Sequence, residues 1–312
     1  MTSTTLSRTG LFHLIVVYIV WSSTYLAIRI AVDPASGFPP FAMGAIRMVP
    51  AALIILAVAR LQGDSISLSS ADVFPLMTGG LLLWVFGNGF VVWAEQYVES
   101  GFACLIVSSA PLWSTLIELI LYQRRPSYRL TASLLLGFLG VSALTVPSFT
   151  MGLSTDLWAT AVLLLAAISW GLGSVLHARK PLRLSPQVAS GYQHLFASVG
   201  FLVMSFICAE PLPNPSASAW IAWGYLVVFG SVFAFTSYVY TLKLLPLSVA
   251  MTYAYVNPVI ALMLGWLILD ETITIWTLAG AALIITSVAG IFSDKLRSAG
   301  KQVRTPTTDR PG

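Results

Sequence analysis

Charge is the first thing this sequence lacks. Only 9% of its 312 residues are Asp, Glu, Lys or Arg, where a soluble domain carries roughly a quarter. Cysteine and histidine are also sparse. The two cysteines, Cys104 and Cys208, sit in apolar stretches without C-x-x-C or Cys/His spacing, which argues against a disulfide framework and a zinc site. With three histidines in the chain, neither a metal nor a cofactor is expected. There is no H-E-x-x-H, no G-x-S-x-G and no pair of carboxylates at one depth within the apolar segments, so an intramembrane enzyme has no nucleophile, base or ligand set to build on.

Hydrophobic residues fill the space that charge leaves, at 57% of the chain. Ten apolar segments follow one another, at about 11 to 31, 39 to 61, 73 to 95, 98 to 121, 130 to 147, 157 to 177, 187 to 209, 219 to 242, 248 to 269 and 272 to 293. Each approaches the roughly 20 residues that a helix needs to cross a bilayer. The runs are apolar all round, which excludes the alternating strands of a barrel. The expected fold class is an all-α membrane protein with ten transmembrane helices, and the first segment is too long for a signal-peptide core.

The formal charge of +4 does not point to nucleic acid, because the basic residues lie in short loops and tails. With the N-terminus placed inside, 14 of the 16 Lys and Arg fall on the inner side, the exceptions being Arg29 and Arg47. The outer connections carry Asp33, Glu95, Glu99, Asp156, Glu210, Asp270 and Glu271. This asymmetry predicts both termini in the cytoplasm.

The chain repeats itself at an offset of about 147 residues. Setting Pro111 on Pro258 brings Ala103 onto Ala250 and Gly140-Val141 onto Ser287-Val288, while Trp21-Ser22-Ser23 matches Trp170-Gly171-Leu172. Five spans per copy is an odd number, so the second copy enters the membrane from the opposite side. The expected organisation is a tail at 1–10, one repeat at 11–148, an inverted one at 155–293, and a tail at 294–312. Inverted repeats in a small polytopic chain are the usual basis of alternating access. A channel would instead call for rings of charge or a carbonyl filter.

Several segments together resemble the ten-helix EamA family of the drug/metabolite transporter superfamily, and within it the bacterial exporters of amino acids and metabolites. They are Trp21-Ser22-Ser23-Thr24-Tyr25, Gly87-Asn88-Gly89, Ala94-Glu95-Gln96-Tyr97, Ser100-Gly101, Ser169-Trp170-Gly171, Tyr253 to Val259 and Asp270-Glu271. Glu99 and Arg124 depart from the family pattern, both near span ends. The resemblance implies a bacterial inner-membrane exporter whose central cavity is lined by spans one, three, four, six, eight and nine.

Counting residues from each span's ends at 1.5 Å per residue puts Trp21, Trp84, Ser109, Trp170, Gly230 and Asn257 near mid-depth. The candidate substrate site therefore holds the rings Trp21, Tyr25, Trp84, Trp113, Trp170, Tyr238 and Tyr253, with polar handles at Ser22, Asn88, Ser108, Ser109 and Asn257. Such a wall suits a small amphipathic solute, aromatic or bulky neutral amino acids first, held by stacking without a fixed charge. Drugs or lipophilic cations exchanged for protons are the alternative. No Asp or Glu stands at mid-depth, which favours facilitated transport. Pro111 and Pro258, at equivalent repeat positions, are candidate hinges, and the glycine pairs at 87 and 89 and at 171 and 173 read as close-packing points. Arg47, Glu118, His177 and His194 show no evident partner at their own depth. The expected partners are a small-molecule substrate and the lipid bilayer, with no nucleic acid and no obligatory protein partner, so that a monomer suffices.

Overall fold

The computed structural model describes residues 6–33, 38–98, 100–150, 157–179, 182–269 and 274–304. Among them the chain forms ten helical rods and no strand. They are α1 (Arg8–Ala31), α2 (Pro40–Leu61), α3 (Ser70–Ala94), α4 (Ser100–Val107 and Ala110–Tyr122), α5 (Tyr128–Thr150), α6 (Leu157–Arg179), α7 (Pro186–Ile207), α8 (Ala217–Leu244), α9 (Leu247–Ala250 and Tyr253–Leu269) and α10 (Ile275–Arg304). Seven helices are long and apolar enough to cross a membrane, and Tyr128–Ala143 and Leu247–Ile260 are shorter apolar stretches. The remaining rod, α7, is diluted by Ser190, Gln193 and His194, all of which it buries.

Helix is imposed by the solvent: a bilayer offers no partners for backbone N–H and C=O, so each segment must satisfy its own. Ends are capped by short side chains. Ser7 accepts from Gly10 N, Ser185 from Val188 N and Ser216 from Ala219 N. The start of α2 has no side-chain cap of its own behind Pro39 and Pro40. Glu210, from the α7–α8 connection, supplies it by accepting from Phe41 N at 2.9 Å and Ala42 N at 2.7 Å.

The two halves interlock rather than sit side by side. Helix α2 lies along α7 and α5 along α10; α1 packs on α8 and α9 just as α6 packs on α3 and α4. Every one of these pairings joins an element of one half to an element of the other. A local irregularity repeats as well: α3 widens into a π-helical stretch at Leu81–Gly89, and α8 does so at Leu226–Phe235. The side chain of the opposite half's first helix then bonds a carbonyl in that stretch. Ser169 Oγ donates to Leu82 O at 2.9 Å, and Trp21 Nε1 to Gly230 O at 3.3 Å.

Glycine sets how closely these rods approach. A Cβ on Gly87 would lie 2.8 Å from the Trp170 ring, one on Gly171 would lie 3.1 Å from Ser114 N, and one on Gly173 would lie 2.9 Å from the Leu83 side chain. The packing expected of those glycines is what brings α3, α4 and α6 together. Large apolar side chains on the outer surfaces, such as Leu53 and Leu202 on the α2–α7 pair and Leu139 and Ile285 on the α5–α10 pair, are more than half exposed. A patch of this extent is unsuited to water and suits lipid. Tyr97, Trp158 and Trp220, at rod ends, are also exposed.

Candidate functional site

A cavity lies between the halves, lined from α1, α2, α3, α4, α6 and α9. Its deep end is aromatic. Trp21 meets Trp170 at 5.4 Å between ring centroids, Tyr238 at 5.1 Å and Tyr253 at 5.0 Å. Tyr238 is fully buried behind this layer, accepting from Trp170 Nε1 at 3.2 Å, bonded to Ser174 Oγ at 2.6 Å and reaching Met251 Sδ at 3.4 Å. Edge-to-face rings locked by hydrogen bonds form a rigid floor. From that floor the lining climbs through Thr24, Ile28, Gly87, Val91, Val107 and Ala166, each nearer the end of its rod opposite the chain's N-terminus.

Of the residues expected in the wall, Trp21, Trp84, Asn88, Trp170, Tyr253 and Asn257 line the cavity. Asn257 is buried, its amide nitrogen donating to Tyr18 O at 3.3 Å and Tyr253 O at 3.0 Å. The serines do not line it. Ser22 donates to Tyr18 O, Ser108 to Ala254 O at 2.9 Å, and Ser109 to Ile106 O at 2.6 Å. A serine hydroxyl within a membrane helix finds a carbonyl close by and is consumed by it. Trp113 donates to Ser109 Oγ at 3.0 Å and lies outside the lining, and the side chain of Tyr25 lies outside the described residues.

The expected hinge prolines differ in setting. Pro111 is the second residue after the interruption of α4 at Ser108-Ser109, whereas Pro258 sits inside a continuous helix and α9 is broken earlier, at Met251-Thr252. The two breaks are therefore about one turn out of repeat register.

Two expectations are corrected by the geometry. Helix α2 enters the lining through Arg47, while α8 contributes no lining residue and instead braces the wall from behind. The cavity consequently does face a fixed charge. The four ionisable side chains expected to be unpartnered also have partners. Arg47 Nε donates to Ser231 Oγ at 2.9 Å and its guanidinium lies 5.1 Å from the Trp84 ring. Glu118 pairs with Arg179, His177 Nδ1 with the Gln193 amide at 3.1 Å, and His194 Nδ1 with Ser190 O at 2.7 Å. Each partner lies on another rod or a full helical turn away, where linear inspection of one span does not look. Arg47 was visible as a signal, since it lies seven residues into α2, about 10 Å at 1.5 Å per residue, a long reach for a side chain seeking the interface.

Among the described residues no group of three His, Cys, Asp or Glu could hold a metal. The site offers rings, amides and one guanidinium, groups suited to binding and orienting a solute.

The model of the EamA-like transporter family matches this chain twice, over residues 8–146 and 157–293. The uncharacterized inner membrane transporter YedA of Escherichia coli K12 is 33% identical over 298 residues, covering 94% of each chain. The uncharacterized transporter YoaV of Bacillus subtilis is 24% identical over 93% of this chain and 98% of its own. A solved crystal structure superposes with a TM-score of 0.77 over 96% of this chain and all of its own, at 20% identity, and so shares the fold. This chain is a multi-pass membrane transporter and belongs to the EamA-like transporter family.

Proposed function

We propose that this protein exports small metabolites, aromatic or bulky neutral amino acids first, across a bacterial inner membrane by alternating access. The observation that carries the reading is the cavity itself: between two interlocked halves, floored by Trp21, Trp170 and Tyr253, with the rest of its lining on the side of that floor away from the chain's N-terminus. Rings with a few amides bind a small amphipathic solute by stacking and directional hydrogen bonds. With both termini in the cytoplasm, as the distribution of Lys and Arg argues, the conformer described faces outward and the aromatic floor closes the inner side. Exchange of the pseudo-equivalent contacts between halves would give the inward-facing state.

Transport is read as facilitated, because no carboxylate is among the cavity lining. Arg47 in the wall weighs against lipophilic cations and against their exchange for protons as the main activity. One chain contains both halves of the device, so a monomer suffices. Counterflow in proteoliposomes preloaded with unlabelled amino acids tests the reading: saturable entry of labelled phenylalanine is expected. Entry that never saturates, or lumenal pH moving in step with substrate, would overturn it.

A further inference from the structure

Arg47 lines the cavity and is only 3% exposed. Its contacts place the guanidinium without neutralising it: Ser231 Oγ takes the Nε proton, and Trp84 lies beneath the plane at 5.1 Å. Among the described residues the one ion pair joins Arg179 to Glu118, so no carboxylate stands within ion-pair distance of Arg47. Its terminal amino groups make no hydrogen bond among the described residues, and the indole N–H of Trp84 in the same wall also has no acceptor. A desolvated guanidinium without a counter-ion is costly, and a ring face and one hydroxyl offset only part of that cost.

The neighbouring backbone is shaped for this group. A Cβ on Gly230 would lie 2.8 Å from Arg47 Nη2, so the absence of a side chain there leaves the notch that the guanidinium fills. The carbonyl of the same Gly230 accepts from Trp21 Nε1 at 3.3 Å. Arg47 and the aromatic floor are thus fixed relative to each other through a single residue of α8. A planar fork of donors on a side chain that lines an aromatic-floored cavity, its terminal nitrogens without a hydrogen bond among the described residues, matches the two oxygens of a carboxylate.

We propose that Arg47 receives the carboxylate of the transported solute, its terminal amino groups donating to the two oxygens while the solute's ring or apolar body lies against Trp21, Trp170 and Tyr253. This rests on the transport reading for the cavity and narrows it to organic acids and zwitterions. Amines that lack an acid group fall outside the class.

The test uses the purified full-length protein and follows tryptophan fluorescence during titration with 3-phenylpropanoate, phenylalanine or phenethylamine, with inorganic phosphate as a further arm. The two carboxylates are expected to saturate the signal and phenethylamine not to. Arg47→Gln should weaken 3-phenylpropanoate binding by about tenfold or more, and Arg47→Lys should restore part of it. Gly230→Ala, which crowds the guanidinium without removing it, should weaken the same binding and serves if Arg47→Gln does not fold. Phenethylamine binding as tightly as the acid, phosphate binding more tightly than it, or 3-phenylpropanoate binding unchanged in Arg47→Gln would each overturn the proposal. Phenylalanine counterflow insensitive to Arg47→Gln would sink the carboxylate site and leave transport standing. Arg47-dependent binding without counterflow would support the site and overturn the amino-acid reading.

Discussion

Trp21 and Trp170 meet edge to face, their ring centroids 5.4 Å apart and their planes at 76°. They occupy matching places in the two halves, in the first span of each. Residues related by an approximate twofold can touch each other only close to its axis. The floor of the cavity is therefore built where the two halves turn about one another.

That position predicts the effect of truncation. Trp21→Ala and Trp170→Ala should each lower the initial rate of counterflow by about tenfold, while Trp→Phe at either position keeps part of it, because an edge-to-face ring pair contributes about 0.5–1.5 kcal/mol beyond its buried area. Asn88→Ala and Asn257→Ala should lower the rate too. Size-exclusion profiles of the solubilised variants should match the parent protein; full activity in all four alanine variants would remove the mid-depth site.

The Glu210 cap predicts a loss of stability with no change in binding. Its two oxygens hold the first N–H groups of α2, and losing an N-terminal cap costs about 0.5–2 kcal/mol. Glu210→Ala should lower the unfolding midpoint in detergent, and Glu210→Gln, which keeps one acceptor, should lower it less. Substrate affinity should be the same in both.

The Glu118–Arg179 pair is partly exposed, at 18% and 25% for the two side chains, and the Arg179 guanidinium also lies 5.7 Å from the Tyr122 ring. Ion pairs of that exposure contribute about 0–1 kcal/mol. A double-mutant cycle with Glu118→Gln and Arg179→Gln should give a coupling within that range, and added salt should shrink it. Glu118→Gln should leave phenylalanine counterflow nearly unchanged, since a carboxylate tied to Arg179 at the end of α4 is away from the cavity lining.

Glycine packing gives a contrast within one experiment. A Cβ on Gly80 would strike the carbonyl oxygen of Gln193, a backbone atom, whereas Gly224 has nothing within 4 Å. Gly80→Ala should destabilise by about 1–3 kcal/mol through forced separation of α3 and α7. Gly224→Ala should be neutral or stabilise by up to about 1 kcal/mol, because alanine loses less backbone entropy in a helix. Thermal midpoints of the two variants in the same detergent check both signs.

The ten rods, their membrane class and the duplication were legible in the chain, because a bilayer forces each segment to satisfy its own backbone and so leaves a local record of length and hydropathy. Trp21, Trp84, Asn88, Trp170, Tyr253 and Asn257 could be found from depth, a one-dimensional quantity counted along a helix, together with the six spans that the family resemblance implies. What a side chain faces around the helix axis is not. Ser22, Ser108 and Ser109 have the right depth but bond carbonyls, and Tyr238 supports the floor from behind instead of lining the cavity. Arg47 looks isolated along the chain because its hydroxyl partner Ser231, its ring partner Trp84 and the notch at Gly230 lie 184, 37 and 183 positions away in sequence. Sequence alone determined the helical membrane class of this chain, its duplication and how far along each helix its candidate chemistry lies. Only the tertiary structure decided which helices surround the cavity and that one of its walls is charged, because azimuth and contact between distant segments are set by packing of the two halves against each other and leave no periodic trace in either.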